Sequence, residues 1–302
     1  MPGTLTSRIV GIRAREPERI AAALRDREPG RMPEDRPLMV LACDHAARGA
    51  LRAGADPMAM ASREELLQRL VAALERPGVD GFLGTADLVE DLALLGALEG
   101  KLVHGSMNRG GLQGASFEYD DRFTGYDADG IVASRLDGGK MLLRIHYGDS
   151  GSASTLEAAA RAVDALAARG RMAMVEPFLV GRRGGGTAND LSPDAVIRSI
   201  TIASGLGRTS AHTWLKVPVV DDMARVASAT TLPLLLLGGE VSQDPDATFD
   251  AWDRALALPT VQGLVIGRSL LFPPDDDVVT AVDRAAQLLR RHRRGTTAND
   301  HP

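Results

Sequence analysis

A single cysteine, Cys43, in 302 residues rules out an internal disulfide framework and fits a reducing compartment. Aromatic residues make up only 4% of the chain, so aliphatic side chains must fill the core, and an apolar share of 44% suffices for that. No apolar run approaches the ~20 residues of a membrane span. The opening MPGTLTSRIVGIRAREPERI lacks the apolar segment of a signal peptide, and a soluble, cytoplasmic protein is expected. No group of Cys and His has zinc-site spacing, so no metal and no other cofactor is expected. A net charge of −5 leaves no footprint for nucleic acid. The basic cluster RRHRR at 290–294 reads as a helix C-terminus favoured by the helix dipole, followed by a polar tail. Lysine is the last scarcity: three residues, Lys101, Lys140 and Lys216, stand against 32 arginines.

What is present is a rhythm. Apolar runs at 38–43, 79–84, 101–107, 140–149, 172–178, 212–218, 232–240 and 261–269 alternate with helical patterns, and no hairpin signal separates them. Strands alternating with helices predict βαβ units and a parallel sheet. Eight units predict one α/β domain, a (β/α)8 TIM barrel over residues 37–291. Residues 1–36 read as a helical arm over the bottom of the barrel, and 292–302 as a flexible tail. An open doubly wound sheet is the competitor, but the turn after the first strand reads DHAARGALRAG and carries no glycine fingerprint. The aliphatic faces of several helices could support a homo-oligomer.

Barrel chemistry sits at the C-terminal ends of the strands. The first strand ends in Asp44 and His45, the third in Asn108 and Arg109, the fifth in Glu176 and the sixth in Lys216. On the fourth, Lys140, Arg144 and His146 share one parity and so one face. The seventh and eighth end in Gly238-Gly239 and Gly267-Arg268, glycine turns that suit a phosphate, with Arg268 adding a charged fork. Two long loops, 108–130 and 179–193, are glycine-rich, the second with Arg182 and Arg183, and loops of this length are more often functional than decorative.

Lys216 lies within the apolar strand HTWLKVPVV, where an ammonium is expensive unless it has a partner or a task. Amine nucleophilicity is the chemistry that lysine performs and arginine does not. Lys216, Glu176, Asp44 and Lys140 could together form a Schiff-base site. Lys140 or Arg144 would depress the pKa of Lys216, and Glu176 or Asp44 would move protons.

These residues resemble those of the class I aldolases of the deoxyribose-phosphate and tagatose-bisphosphate aldolase superfamily. LACDHAARG is similar to that group's aspartate motif on the first strand, MVEPF to its glutamate strand, TWLKVPV to its Schiff-base strand, and LGGEVS and VIGRSL to its phosphate turns. The resemblance covers roughly residues 38–290. It implies a nucleophile at Lys216, proton relay by Glu176, an acid/base or hydroxyl-binding role for Asp44, and phosphate contacts at Gly239, Gly267 and Arg268. KMLLRIH and TWLK further resemble the class I aldolases of myo-inositol breakdown, although Tyr147-Gly148-Asp149 stands where that group usually has Pro-Asp-Asp. Those enzymes cleave 5-dehydro-2-deoxygluconate 6-phosphate to dihydroxyacetone phosphate and malonate semialdehyde. This likeness implies a substrate carboxylate held by Arg144, His146, Arg182 or Arg183. Asn108, at the end of the third strand, is a further candidate substrate contact. Other sugar-phosphate aldolases remain open, of deoxyribose-phosphate, tagatose-bisphosphate or fructose-bisphosphate type. So do a metal-assisted lyase using Asp44, His45, His104, His146 and Glu176, and a non-catalytic sugar-phosphate binder.

Overall fold

The computed structural model of the chain describes residues 3–183 and 186–293. Eight parallel strands close into a barrel: β1 (Leu38–Cys43), β2 (Gly81–Gly84), β3 (Leu102–Ser106), β4 (Gly138–Ile145), β5 (Met172–Arg183), β7 (Thr213–Pro218), β8 (Leu234–Leu237) and β9 (Val261–Ile266). A short strand, β6 (Gly186–Asn189), stands outside that count. Around the ring the order is β4, β3, β2, β1, β9, β8, β7, β5, and pairing of β4 with β5 closes it. The alternation of apolar runs and helices predicts this architecture because a strand covered by helices outside and filled inside is apolar on both faces.

Side-chain parity separates two cores. Leu38, Val40 and Ala42 join Leu83, Leu102, Met174, Leu235 and Val265 inside the barrel. Their neighbours Met39, Leu41 and Cys43 pack outward with the helices. The inward rows rise in register: Met174 is level with Lys140 on one side and Trp214 on the other. One rung higher on the same face come Glu176 and, two residues beyond Trp214, Lys216. The lower interior is therefore packed hydrocarbon, and the ionisable groups begin where it ends.

Three elements differ from the expectation. The arm forms two helices, Leu5–Arg15 and Glu18–Asp26, rather than one. They lie along outer helices: Leu5 and Thr6 donate backbone N–H groups to Glu64, Arg13 pairs with Glu90 and Asp91, and buried Arg27 donates to the carbonyls of Lys101 and Arg135. The segment expected as a loop after residue 178 instead continues β5 and turns back as β6 in an antiparallel ribbon, Val180 opposite Asn189. The loop from 108 is anchored rather than open, with Tyr119 and Asp121 buried and Asn108 bridged to Phe123. Residues 294–302, most of the expected tail, lie outside the described residues. Among the described residues, no helix is long and apolar enough to cross a membrane.

Candidate active site

A cavity of about 640 Å³ opens at the C-terminal end of the barrel. Lys216 and Glu176 form part of its wall, although Lys216 is only 2% exposed. Lys216 Nζ lies 2.9 Å from Glu176 Oε1, and the other carboxylate oxygen contacts Lys140. Lys140 sits one rung lower, fully buried and off the cavity wall, with its Nζ 3.2 Å from Asp44 Oδ2. The same Asp44 oxygen accepts a 3.1 Å hydrogen bond from Ser106 and pairs with Arg109, whose Nε donates to Ser106 Oγ at 3.0 Å. A continuous polar chain thus runs from Arg109 through Asp44, Lys140 and Glu176 to Lys216.

Its charge does not balance when every group is ionised. Three cations, Arg109, Lys140 and Lys216, face two carboxylates, Asp44 and Glu176. In a buried cluster the surplus charge is costly, and releasing one proton from an amine removes it. Burial pushes both lysines below the ordinary amine value, Lys140 far below, and neighbouring Arg109 adds to the effect. Burial also brings Arg109 down to about 10. Burial alone would raise the Glu176 carboxyl, but Lys140, Lys216 and Arg109 hold it well below the usual carboxylate range. Because Glu176 bridges both amines, a proton leaving Lys216 has a path to Lys140. The amine that borders the cavity therefore need not be the neutral one at rest.

The glycine turns line the cavity on the side of β8 and β9. Gly239 has φ +68°, a left-handed conformation that strains other residues. A Cβ on Gly267 would lie 2.5 Å from the carbonyl oxygen of Ala42, so the turn hugs β1 only because that atom is missing. Arg268 reaches the cavity, but its fork is occupied: Glu240 accepts from it at 2.9 and 2.8 Å. Glu240 is largely exposed, so an incoming anion can take its place at small cost.

Other expected residues sit differently. Asp44, expected to handle substrate protons directly, is 1% exposed and off the cavity wall, because Arg109, Ser106 and Lys140 cover it. Asn108, expected to touch substrate, spends its amide on the backbone: it donates to the carbonyls of Leu142 and Asp121 and accepts from the N–H of Leu142. It clamps the end of β3 to β4. His146 is not on the cavity wall and stacks on Tyr119 with ring centres 4.9 Å apart. Arg144 does line the cavity, but its guanidinium is held by buried Asp121 (Nε–Oδ2 2.9 Å) and by the carbonyls of Gly111 and Glu118. The side chain of Arg182 lies outside the described residues.

The sequence reading ranks His45 low and leaves Arg48, Arg52, Ser106 and Asp121 out of the site. The structure places His45, Arg48 and Arg52 on the cavity wall, and Ser106 and Asp121 directly behind it. Only the parity of Ser106 with His104 on β3 could have signalled an inward hydroxyl. The ligand set of the metal alternative does not gather. His104 is buried in β3, held near a pKa of about 4 by burial, and His146 is engaged with Tyr119 off the cavity wall. Among the described residues, no three of His, Cys, Asp and Glu come together as a metal site.

A family model described as Cgl0159-like matches residues 36–286. The crystal structure of Cgl0159 from Corynebacterium glutamicum is 51% identical, with 95% of this chain and 97% of that one covered and a TM-score of 0.93. At 17% identity, an archaeal fructose 1,6-bisphosphate aldolase aligns over 84% of this chain and 93% of its own at a TM-score of 0.60. The fructose-bisphosphate aldolase of Slackia heliotrinireducens, also 17% identical, aligns over 88% of each chain at 0.61. The two aldolases share the fold. Among curated proteins none matches the chain.

Proposed function

The chain belongs to the Cgl0159-like family, and we propose that it is a class I aldolase that cleaves a phosphorylated keto sugar or keto acid through a Schiff base on Lys216. One observation carries the reading: a buried amine on the cavity wall, 2.9 Å from a carboxylate that also holds a second lysine. A binding protein has no use for an ammonium with a depressed pKa there, whereas a nucleophile needs one. Structures of like fold include a Schiff-base-forming fructose-1,6-bisphosphate aldolase, which is consistent with this chemistry.

In the proposed reaction, Lys216 passes its proton to the Glu176–Lys140 pair and its free electron pair bonds to the ketone carbon. The carbonyl π pair moves to oxygen, which takes a proton back from Glu176. A second proton, given up by the nitrogen and relayed through Glu176, lets that oxygen leave as water, and the nitrogen lone pair closes the C=N bond of the iminium. The iminium then draws in the electron pair of the adjacent carbon–carbon bond as the substrate hydroxyl gives up its proton, releasing an aldehyde and leaving an enamine.

Within this class our preferred substrate remains 5-dehydro-2-deoxygluconate 6-phosphate, split to dihydroxyacetone phosphate and malonate semialdehyde. Its two anionic ends suit the cavity. The Gly238-Gly239 and Gly267-Arg268 turns lie on β8 and β9, while Arg48 and Arg144 lie beside β4, across the ring from β9. A fructose-bisphosphate-type substrate also has two anionic ends, and parallel cleavage assays reading dihydroxyacetone phosphate decide between them. The test of the class is borohydride reduction with dihydroxyacetone phosphate followed by peptide mass analysis. An adduct on Lys216, absent in Lys216→Met, is expected. An adduct elsewhere, or full activity in Lys216→Met, sinks the proposal.

A further inference from the structure

His45 is a titratable residue of the cavity wall to which the reaction above gives no task. Every carboxylate on that wall is already engaged. Glu176 holds both lysines, Glu118 lies 3.7 Å from both Arg48 and Arg144, and Glu240 holds Arg268. The covered position of Asp44 removes it from direct contact with substrate. Once the imine forms, a proton must still leave and return at the carbon next to it. With Lys216 converted to the iminium and Lys140 on its other oxygen, Glu176 is held between two positive groups and is a poor acceptor for that proton.

The imidazole of His45 is placed for this step. Its Nδ1 is shut off from solvent, has no hydrogen-bond partner, and lies 3.8 Å from Asp44 Oδ1, which is itself buried and without a hydrogen bond. The two atoms are paired at a distance that a small rotation of the ring would bring to a hydrogen bond. A proton on Nδ1 directed at that carboxylate fixes the tautomer and leaves the lone pair on Nε2. The ring is partly exposed and lines the cavity, and because Nδ1 is closed off, its open edge is the one that carries Nε2. Gly267 sits against the same ring, so His45 lies between the glycine turn and the two-lysine cluster. Burial, and then the cations Arg268, Lys216 and Lys140, push its pKa well below the ordinary histidine value, so the ring is neutral at rest.

We infer that His45 is a catalytic base, oriented by Asp44, that moves the proton at the carbon adjacent to the Lys216 imine. Nε2 takes that proton, the C–H electron pair becomes the carbon–carbon π bond of the enamine, and the C=N π pair settles on the Lys216 nitrogen. In the cleavage direction Nε2 first takes the proton that the substrate hydroxyl gives up, and the imidazolium so formed returns it to the enamine carbon, which restores the iminium for hydrolysis. Asp44 is a positioning residue in this scheme. The inference rests on the Schiff-base reading of Lys216.

The experiment separates the two. Wild type, His45→Asn and His45→Gln are incubated with dihydroxyacetone phosphate in D2O. Deuterium uptake at the hydroxymethyl carbon is followed by NMR, and the Lys216 adduct is trapped in parallel with borohydride. Trapping retained in both variants with uptake slowed about 100-fold or more is expected, the scale of a lost general base. Trapping retained with uptake within a few-fold of wild type overturns the role of His45 and leaves the aldolase reading intact. Absence of an adduct in wild type overturns both. Loss of trapping in both variants, with thermal melting unchanged, assigns His45 to imine formation and overturns the inference. His45→Gln guards against a folding defect peculiar to the smaller asparagine.

Discussion

Replacing Lys140 with methionine isolates the proton economy of the buried chain. Methionine keeps an unbranched side chain of similar length and removes one charge. In the native protein Lys140 and Lys216 compete for Glu176, and three cations face two carboxylates. In Lys140→Met two cations face two carboxylates, and no surplus proton remains to be released. Glu176 belongs wholly to Lys216, and a like charge beside Lys216 has gone. Both changes favour the ammonium form, so the depressed pKa of Lys216 rises. A neighbouring charge moves a pKa by about 1–2 units, and each unit costs about tenfold in neutral amine, or about 1.4 kcal/mol. The rate of borohydride trapping with dihydroxyacetone phosphate at pH 7.5 is therefore expected to fall about 10–100-fold. The sign sets the pH dependence: the amine reacts only when neutral, so the loss shrinks as pH rises through the new pKa. Trapping as fast as wild type at pH 7.5 would refute the argument, as would a deficit that stays constant to pH 10.

Three further outcomes are expected. Glu240→Ala frees the fork of Arg268, and an exposed pair is worth about 0.2–1 kcal/mol, so calorimetry should find dihydroxyacetone phosphate bound about 1.5–5-fold more tightly. Gly267→Ala forces a Cβ to within 2.5 Å of the Ala42 carbonyl, so the turn must move, and affinity for the same ligand should fall about tenfold or more while the circular dichroism spectrum is retained. Asp121→Ala leaves Arg144 buried without its carboxylate; urea unfolding should show a loss of about 3–5 kcal/mol, with faster proteolysis of the 108–125 segment.

The sequence by itself determined the barrel, since eight apolar runs separated by amphipathic helices have few other ways to bury both faces of each strand. It also determined which face many side chains take. Within a strand alternate residues share a face, so Lys140 and Arg144 had to point together, as did Trp214 and Lys216. Periodicity ends with the strand, and there the sequence stopped being informative. His146 lies just past β4 and stacks on Tyr119 off the cavity wall, Asn108 leaves β3 and clamps the backbone, and Asp44 is covered while His45 reaches the cavity. Which groups meet was decided by closure of the ring, which brings residues from β1, β3, β4, β5 and β7 into one polar chain spanning more than 170 positions of sequence. A proton's position depends on distances of a few ångströms and on burial, and both are properties of the closed barrel rather than of any one strand.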